Sequence, residues 1–140
     1  MDASTPTVLN VVCGLIVVNS RFLAARRAAS RRFPLLWEFP GGKIEAEEDP
    51  PAALERELME ELSLKVRILH KLEAVTFADA SSSIRLIPFL CVPDQEAAPV
   101  PHEHAELRWI TPQAASSLNW VPADVPLLKL LEELLSTFAN

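Results

Sequence analysis

The apolar run Thr7–Val18 (TVLNVVCGLIVV) is rich in β-branched residues and strand-sized; Arg21–Arg26 returns after Asn19-Ser20, so the chain opens on an expected β-hairpin. Residues 30–36 read as loop, Leu36 to Phe39 as a short extended piece, and Pro40-Gly41-Gly42 as its stop. The period then becomes helical. Leu54, Leu58 and Leu62 follow Asp49-Pro50-Pro51, where aspartate suits an N-cap and proline a first turn. Strands are expected at 64–78 and 83–92, with Pro88 making the second an edge strand or bulging it. Residues 93–104 read as loop and Glu106 to Ile110 as a short strand. A last helix begins near Asp124, with Leu127, Leu128, Leu131, Leu134, Leu135 and Phe138 on one face and Glu132 and Glu133 opposite. With no repeat and no interdomain linker, the pattern predicts an α/β (α+β) sandwich: a mixed sheet with one helix in the middle and one at the end.

Composition adds limits. The chain has 140 residues, 49% hydrophobic and 23% charged, enough for one globular domain without disulfides. Cys13 and Cys91 lie in apolar runs without metal-type spacing and are expected as buried free thiols in a reducing cytosol. No run approaches the ~18 apolar residues of a membrane span, and no leader-like start is visible, so a soluble cytoplasmic protein is expected. The net charge of −6 argues against a protein that grips a nucleic acid polymer by its phosphates. Arg21, Arg26, Arg27, Arg31 and Arg32 nevertheless cluster ahead of an acidic stretch from Glu45 to Glu61. A basic segment followed by an acidic one suits a small polyanion held with a cation, against the plainer reading of a solvated arginine-rich loop.

Glu57, Glu60 and Glu61 are spaced to converge on one helical face. Such like charges repel on an exposed helix, and a bound cation would reverse that. All-oxygen ligands of high charge favour Mg²⁺ or Mn²⁺ over zinc. A solvated glutamate-rich face is the alternative. Arg56 can pair with Glu60 or with an acidic residue of the preceding loop, which would orient carboxylates rather than bind substrate. Gly41 and Gly42 suggest a backbone closed to other residues.

These residues carry a resemblance. The Nudix signature is G-x5-E-x7-R-E-U-x-E-E-x-G-U, with U a bulky apolar residue; the chain supplies Gly42, Glu48, Arg56, Glu57, Leu58, Glu60, Glu61, Ser63 and Leu64 at those spacings. Only Ser63 departs, standing where the family has glycine. A left-handed serine costs ~1 kcal/mol of strain, so the helix end is expected to shift slightly and the metal site to survive. WEFPGGKIE (37–45), HEHAELRWITP (102–112) and VPADVPLL (121–128) resemble the MutT-type branch, within it the (deoxy)cytidine triphosphate pyrophosphohydrolases, with 8-oxo-dGTP diphosphatases as relatives.

The resemblance implies a single α/β/α Nudix domain over 1–140 and Mg²⁺-dependent hydrolysis of a nucleoside triphosphate to monophosphate and pyrophosphate, a nucleotide-pool sanitising reaction on a cytidine-type or oxidised guanine substrate. It implies Glu57, Glu60, Glu61 and the Gly41 backbone at the metal, with Glu103 or Glu106 as an assisting loop carboxylate. Gly42 and Lys43 are expected at the phosphates and Arg26 or Arg27 at the substrate. Asp124 is expected either at the base edge or only as a cap for the last helix. Trp37, Phe39 and Trp120 are candidates to stack on a base or, as such aromatics more often are, core; His70, His102 and His104 read as surface histidines. A catalytically silent nucleotide-binding regulatory domain and a hydrolase of another nucleoside diphosphate derivative are the alternatives. Monomer and homodimer both remain open, and neither membrane nor nucleic acid is expected as a partner.

Overall fold

The computed structural model describes residues 7–78, 82–95 and 98–138. Strands β1 (Thr7–Val18), β2 (Arg21–Arg26), β3 (Trp37–Glu38) and β4 (Gly41–Lys43) precede helix α1 (Pro50–Leu62). Then come β5 (Val66–Lys71), β6 (Val75–Ala78), β7 (Ser82–Pro93) and β8 (Glu106–Ile110), the short α2 (Pro112–Ala115), a 3-10 turn (Pro122–Asp124) and α3 (Val125–Phe138). The order β3-β2-β1-β7-β5 runs across an eight-stranded mixed sheet, with β4 on β1, β6 on β7 and β8 on β2. β1 and β7 pair in parallel at the centre and the other pairings are antiparallel.

Period-two alternation gives the sheet two apolar faces. Val12 and Ile16 of β1, Leu23 of β2 and Ile87, Phe89 and Cys91 of β7 pack on Leu54, Leu58 and Leu62 of α1. Cys13, Leu15, Phe22, Ala24, Leu86 and Leu90 point the other way, to Trp37, Phe39, Trp120 and Leu127 and Leu131 of α3. The two cysteines are therefore buried on opposite faces, free as expected. Among the described residues no helix is long and apolar enough to cross a membrane.

The structure corrects several local expectations. The segment 64–78 is two strands laid end to end along one side of β7, with a register shift between Ile68 and His70. The break faces Pro88, whose carbonyl accepts from the Leu72 N–H at 2.9 Å. A residue's N and C=O point to the same side of a strand, so the donor that Pro88 lacks falls in the gap between β5 and β6. Pro88 thus sits in a central strand, not an edge one. β3 does stop before Pro40, but Gly41–Lys43 then forms a separate strand paired with β1, and no described glycine has positive φ. Asp49 precedes α1 with extended backbone but without a side-chain cap bond. Helix α2, capped by the Thr111 side chain on the Ala114 N–H, was not expected. Part of the 93–104 loop (96–97) and the side chain of Phe138 lie outside the described residues.

Candidate active site

Helix α1 lies over the β4 edge with its leucines inward, which leaves Glu57 and Glu61 half-buried and Glu60 exposed beside Gly41–Lys43. The two glycines are there for space. A Cβ on Gly42 would stand 2.3 Å from Cδ of Glu57, and one on Gly41 2.0 Å from the Val12 carbonyl oxygen. Gly42 therefore makes room for a carboxylate, and Gly41 for the close pairing of β4 with β1.

Arg56 organises this face. Its Nε and Nη2 donate to both oxygens of Glu48 at 2.7 and 2.9 Å, its Nη1 to Glu57 at 3.0 Å and Glu60 at 2.9 Å, and its Nη2 also to the Lys43 carbonyl at 3.1 Å. Both expected roles hold at once: Arg56 pairs with Glu60 and with the loop acid. The bidentate bond and the Glu45 N–H hold Glu48 down at about 2, below its ordinary 4.5, and raise Arg56 above its usual value.

Glu61 behaves differently. Among the described residues its buried Oε1 has no hydrogen-bond partner, and burial, followed by the charges of Glu57, Glu38 and Glu103, pushes its carboxyl up to about 8. Among the described residues no three His, Cys, Asp or Glu side chains surround a common point, since Glu57 and Glu60 turn to Arg56. The group nevertheless fits a hard divalent cation: an orphaned carboxylate oxygen, two further carboxylates on the same face, and a strand whose glycine keeps the space open.

Opposite α1, β3 supplies Glu38, which sequence reasoning missed. Its two oxygens accept from Nη1 of Arg27 at 2.8 Å and Nε2 of His104 at 2.9 Å. Glu38 pairs with Ala25 in the ladder and points away from the aromatic core flanking it, an alternation that Trp37-Glu38-Phe39 carries in plain view. His104 is no surface histidine; its side chain is 5% exposed. His102 is exposed and shares a 2.7 Å hydrogen bond with the Ser63 hydroxyl. Ser63 keeps the left-handed conformation (φ 51°, ψ 37°), its N–H donating to the Met59 carbonyl and the Leu64 N–H to the Leu58 carbonyl, so the expected shift of the helix end does not occur.

The ambiguous pairs separate by face. Glu103, bonded to Arg31 at 3.3 Å, contributes to the field on Glu61. Glu106 instead pairs with Arg108 at 2.6 Å and with Arg26 at 3.7 Å. Arg26 lies over the Trp37 ring and donates to the Leu35 carbonyl, whereas Arg27 reaches Glu38. The structure brings Glu103 and Arg27 toward the α1 carboxylates and leaves Glu106 and Arg26 in a surface cluster with Arg108. Lys43 is exposed at the end of β4.

On the other face, Phe22, Phe39 and Trp120 stack with centroids 5.4 to 6.0 Å apart, so the Phe39 ring, 3% exposed, is core. Its backbone N–H donates to Oδ2 of Asp124 at 2.7 Å. Asp124 ends a 3-10 turn that runs directly into α3 and spends this bond across the sheet rather than on the helix. The bond its side chain makes is thus to the Phe39 backbone, not to the first turn of α3. Burial pushes its carboxyl up to about 7 against the opposing Phe39 N–H. Next to it in sequence, Ala123 helps line a small cleft with Arg32, Phe33, Phe77, Ser82, Ile84 and Val121.

Comparison with known proteins agrees with this geometry. The NUDIX domain family matches residues 8–131. The CTP pyrophosphohydrolase of Escherichia coli is 37% identical over 86% of this chain and 89% of its own length. A putative 8-oxo-dGTP diphosphatase of Mycobacterium tuberculosis is 36% identical over 81% of each. The solution structure of the E. coli ORF135 protein superposes with a TM-score of 0.82 at 32% identity, over 94% of both chains. With its signature carboxylates complete and its glycine position taken by serine, the chain belongs to the NUDIX domain family, among the MutT-type Nudix hydrolases.

Proposed function

We propose that the protein hydrolyses nucleoside triphosphates to the monophosphate and pyrophosphate with Mg²⁺, or Mn²⁺, on a cytidine-type or oxidised guanine substrate in the cytoplasm. The observation that carries the reading is Glu61, a carboxylate with a buried, unpaired oxygen beside Glu57 and Glu60 on a helix face that Gly42 leaves open. The names of the two similar enzymes support the substrate class.

Glu57, Glu60, Glu61 and the Gly41 carbonyl would hold the cation, whose chemistry is to neutralise phosphate oxygens and acidify a bound water. The protein's own part is positioning. Arg56, braced by Glu48, keeps Glu57 and Glu60 from splaying apart. Glu103 is the assisting loop carboxylate. Lys43 and Arg27 offer positive charge to the phosphates, and Gly42 lets them approach the strand. Asp124 reads the base: ionised, it accepts a hydrogen bond and suits the exocyclic amine of cytosine.

A panel of ordinary, methylated and oxidised nucleoside triphosphates with Mg²⁺ tests this, products being identified by phosphorus NMR. Pyrophosphate with a monophosphate is expected, fastest from a cytidine or oxidised guanine nucleotide. Release of orthophosphate, or turnover confined to dinucleotides or sugar nucleotides, refutes it.

A further inference from the structure

The segment 99–105 has no helix or strand, yet it carries Glu103 to the site. Three successive side chains fasten it to three different parts of the fold. His102 meets Ser63 at the end of α1, Glu103 meets Arg31, and His104 meets Glu38 on β3. Backbone bonds flank these: His102 N–H to the Glu61 carbonyl at 3.2 Å and Ala105 N–H to the Arg26 carbonyl at 2.8 Å.

Of the three side chains only His104 is buried, and it is buried at a cost. Its Nε2–H donates to Glu38, and among the described residues the buried Nδ1 has no partner. An apolar side chain in that place would avoid the penalty of an unpaired polar atom. Stability alone therefore does not explain an imidazole there. What the imidazole supplies is a directional link from the backbone next to Glu103 to a strand that Arg27 also grips through Glu38.

We propose that His104 is a positioning residue for hydrolysis: by its bond to Glu38 it fixes the turn that presents Glu103 to Glu61. The proposal rests on the reading of Glu103 as the assisting carboxylate, and the test separates the two. His104→Leu and His104→Gln are made alone and in a Glu103→Gln background, and kcat and KM are measured with CTP at saturating Mg²⁺. Exchange of the Ala105 amide is followed in the metal-free proteins. His104→Leu should unfold no more easily than wild type yet lose about tenfold in kcat at nearly unchanged KM, the scale of one directional bond. Its Ala105 amide should exchange about tenfold faster. His104→Gln, whose amide can still donate to Glu38, should recover most of both. With Glu103→Gln already in place, His104→Leu should cost nothing further in kcat. If Glu103→Gln is slow but His104→Leu turns over normally, the positioning role fails while Glu103 stands. A loss of the same size in both backgrounds overturns it too. A Glu103→Gln enzyme at wild-type rate removes the reading of Glu103 itself, and His104 with it.

Discussion

Glu61→Gln should make the metal-free protein more stable, by an amount that grows with pH. The folded carboxyl sits at about 8 against an ordinary 4.5, raised by burial and by Glu57, Glu38 and Glu103. Because the folded value is the higher one, folding takes up a proton in this window. The stability that comes with it is fully present below about 4.5 and is lost as pH rises through about 8. At about 1.36 kcal/mol per pH unit the ceiling is ~4–5 kcal/mol above pH 8. Partial exposure screens the field, and ~1–2 kcal/mol is the expected size. Urea unfolding in EDTA at about pH 5 and about pH 9 measures it: the variant should match wild type at the lower pH and exceed it at the higher. Saturating Mg²⁺ should reverse the order, since a ligand that binds only the folded state adds about 2.7 kcal/mol at a hundredfold excess over its Kd, and the variant has lost a ligand. A pH-independent difference, or a variant less stable than wild type in EDTA at the higher pH, would refute the picture of a buried, repelled carboxylate.

The two adjacent glycines should fail differently. Gly41→Ala drives a Cβ into the Val12 backbone and should cost ~1–3 kcal/mol by urea unfolding, whereas Gly42→Ala meets the movable end of Glu57 and should stay folded while turnover falls; equal losses of stability would contradict this. Ser63→Gly removes ~1 kcal/mol of strain together with a hydrogen bond of similar worth, so stability and turnover should scarcely move; a loss well beyond 1 kcal/mol would show that the bond to His102 outweighs the strain. Asp124→Asn should alter the kcat/KM ranking of dCTP, 5-methyl-dCTP, dGTP and 8-oxo-dGTP. In wild type the cytidine preference should strengthen as pH rises through about 7, where Asp124 becomes acceptor-only, and the variant should lack that dependence. An unchanged ranking would move base choice elsewhere.

Most of the architecture was legible because its signals are local. The leucine spacing of α1 and the β-branched run of β1 each announce an element, and the carboxylate spacing makes one helix face from adjacent turns. What escaped depends on pairing. Pro88 read as marking an edge strand or a bulge because its tolerance comes from a gap in the neighbouring strands, visible only once β5 and β6 share β7. The Gly41-Gly42 pair read as a need for special backbone conformations, yet its need is for space, set by Val12 and Glu57, distant in sequence. Glu103 and Glu106 were equivalent on paper. Strand alternation and the Arg26 ladder send Glu106 to a surface cluster. Glu38 and His104 were missed for the same reason: each matters through a partner 66 residues away.

The α1 carboxylates are proposed to run the hydrolysis. The most direct test is the Mg²⁺-saturated turnover of Glu60→Gln against wild type on the best nucleoside triphosphate, with pyrophosphate release followed and folding verified by the unfolding midpoint. Glu60 is exposed and, among the described residues, bonded to Arg56 alone, so the variant should fold as wild type does. Its kcat is predicted to fall by about a hundredfold or more, as expected when a metal ligand acting in the transition state is lost; a folded Glu60→Gln enzyme that releases pyrophosphate at near wild-type rate would contradict the account.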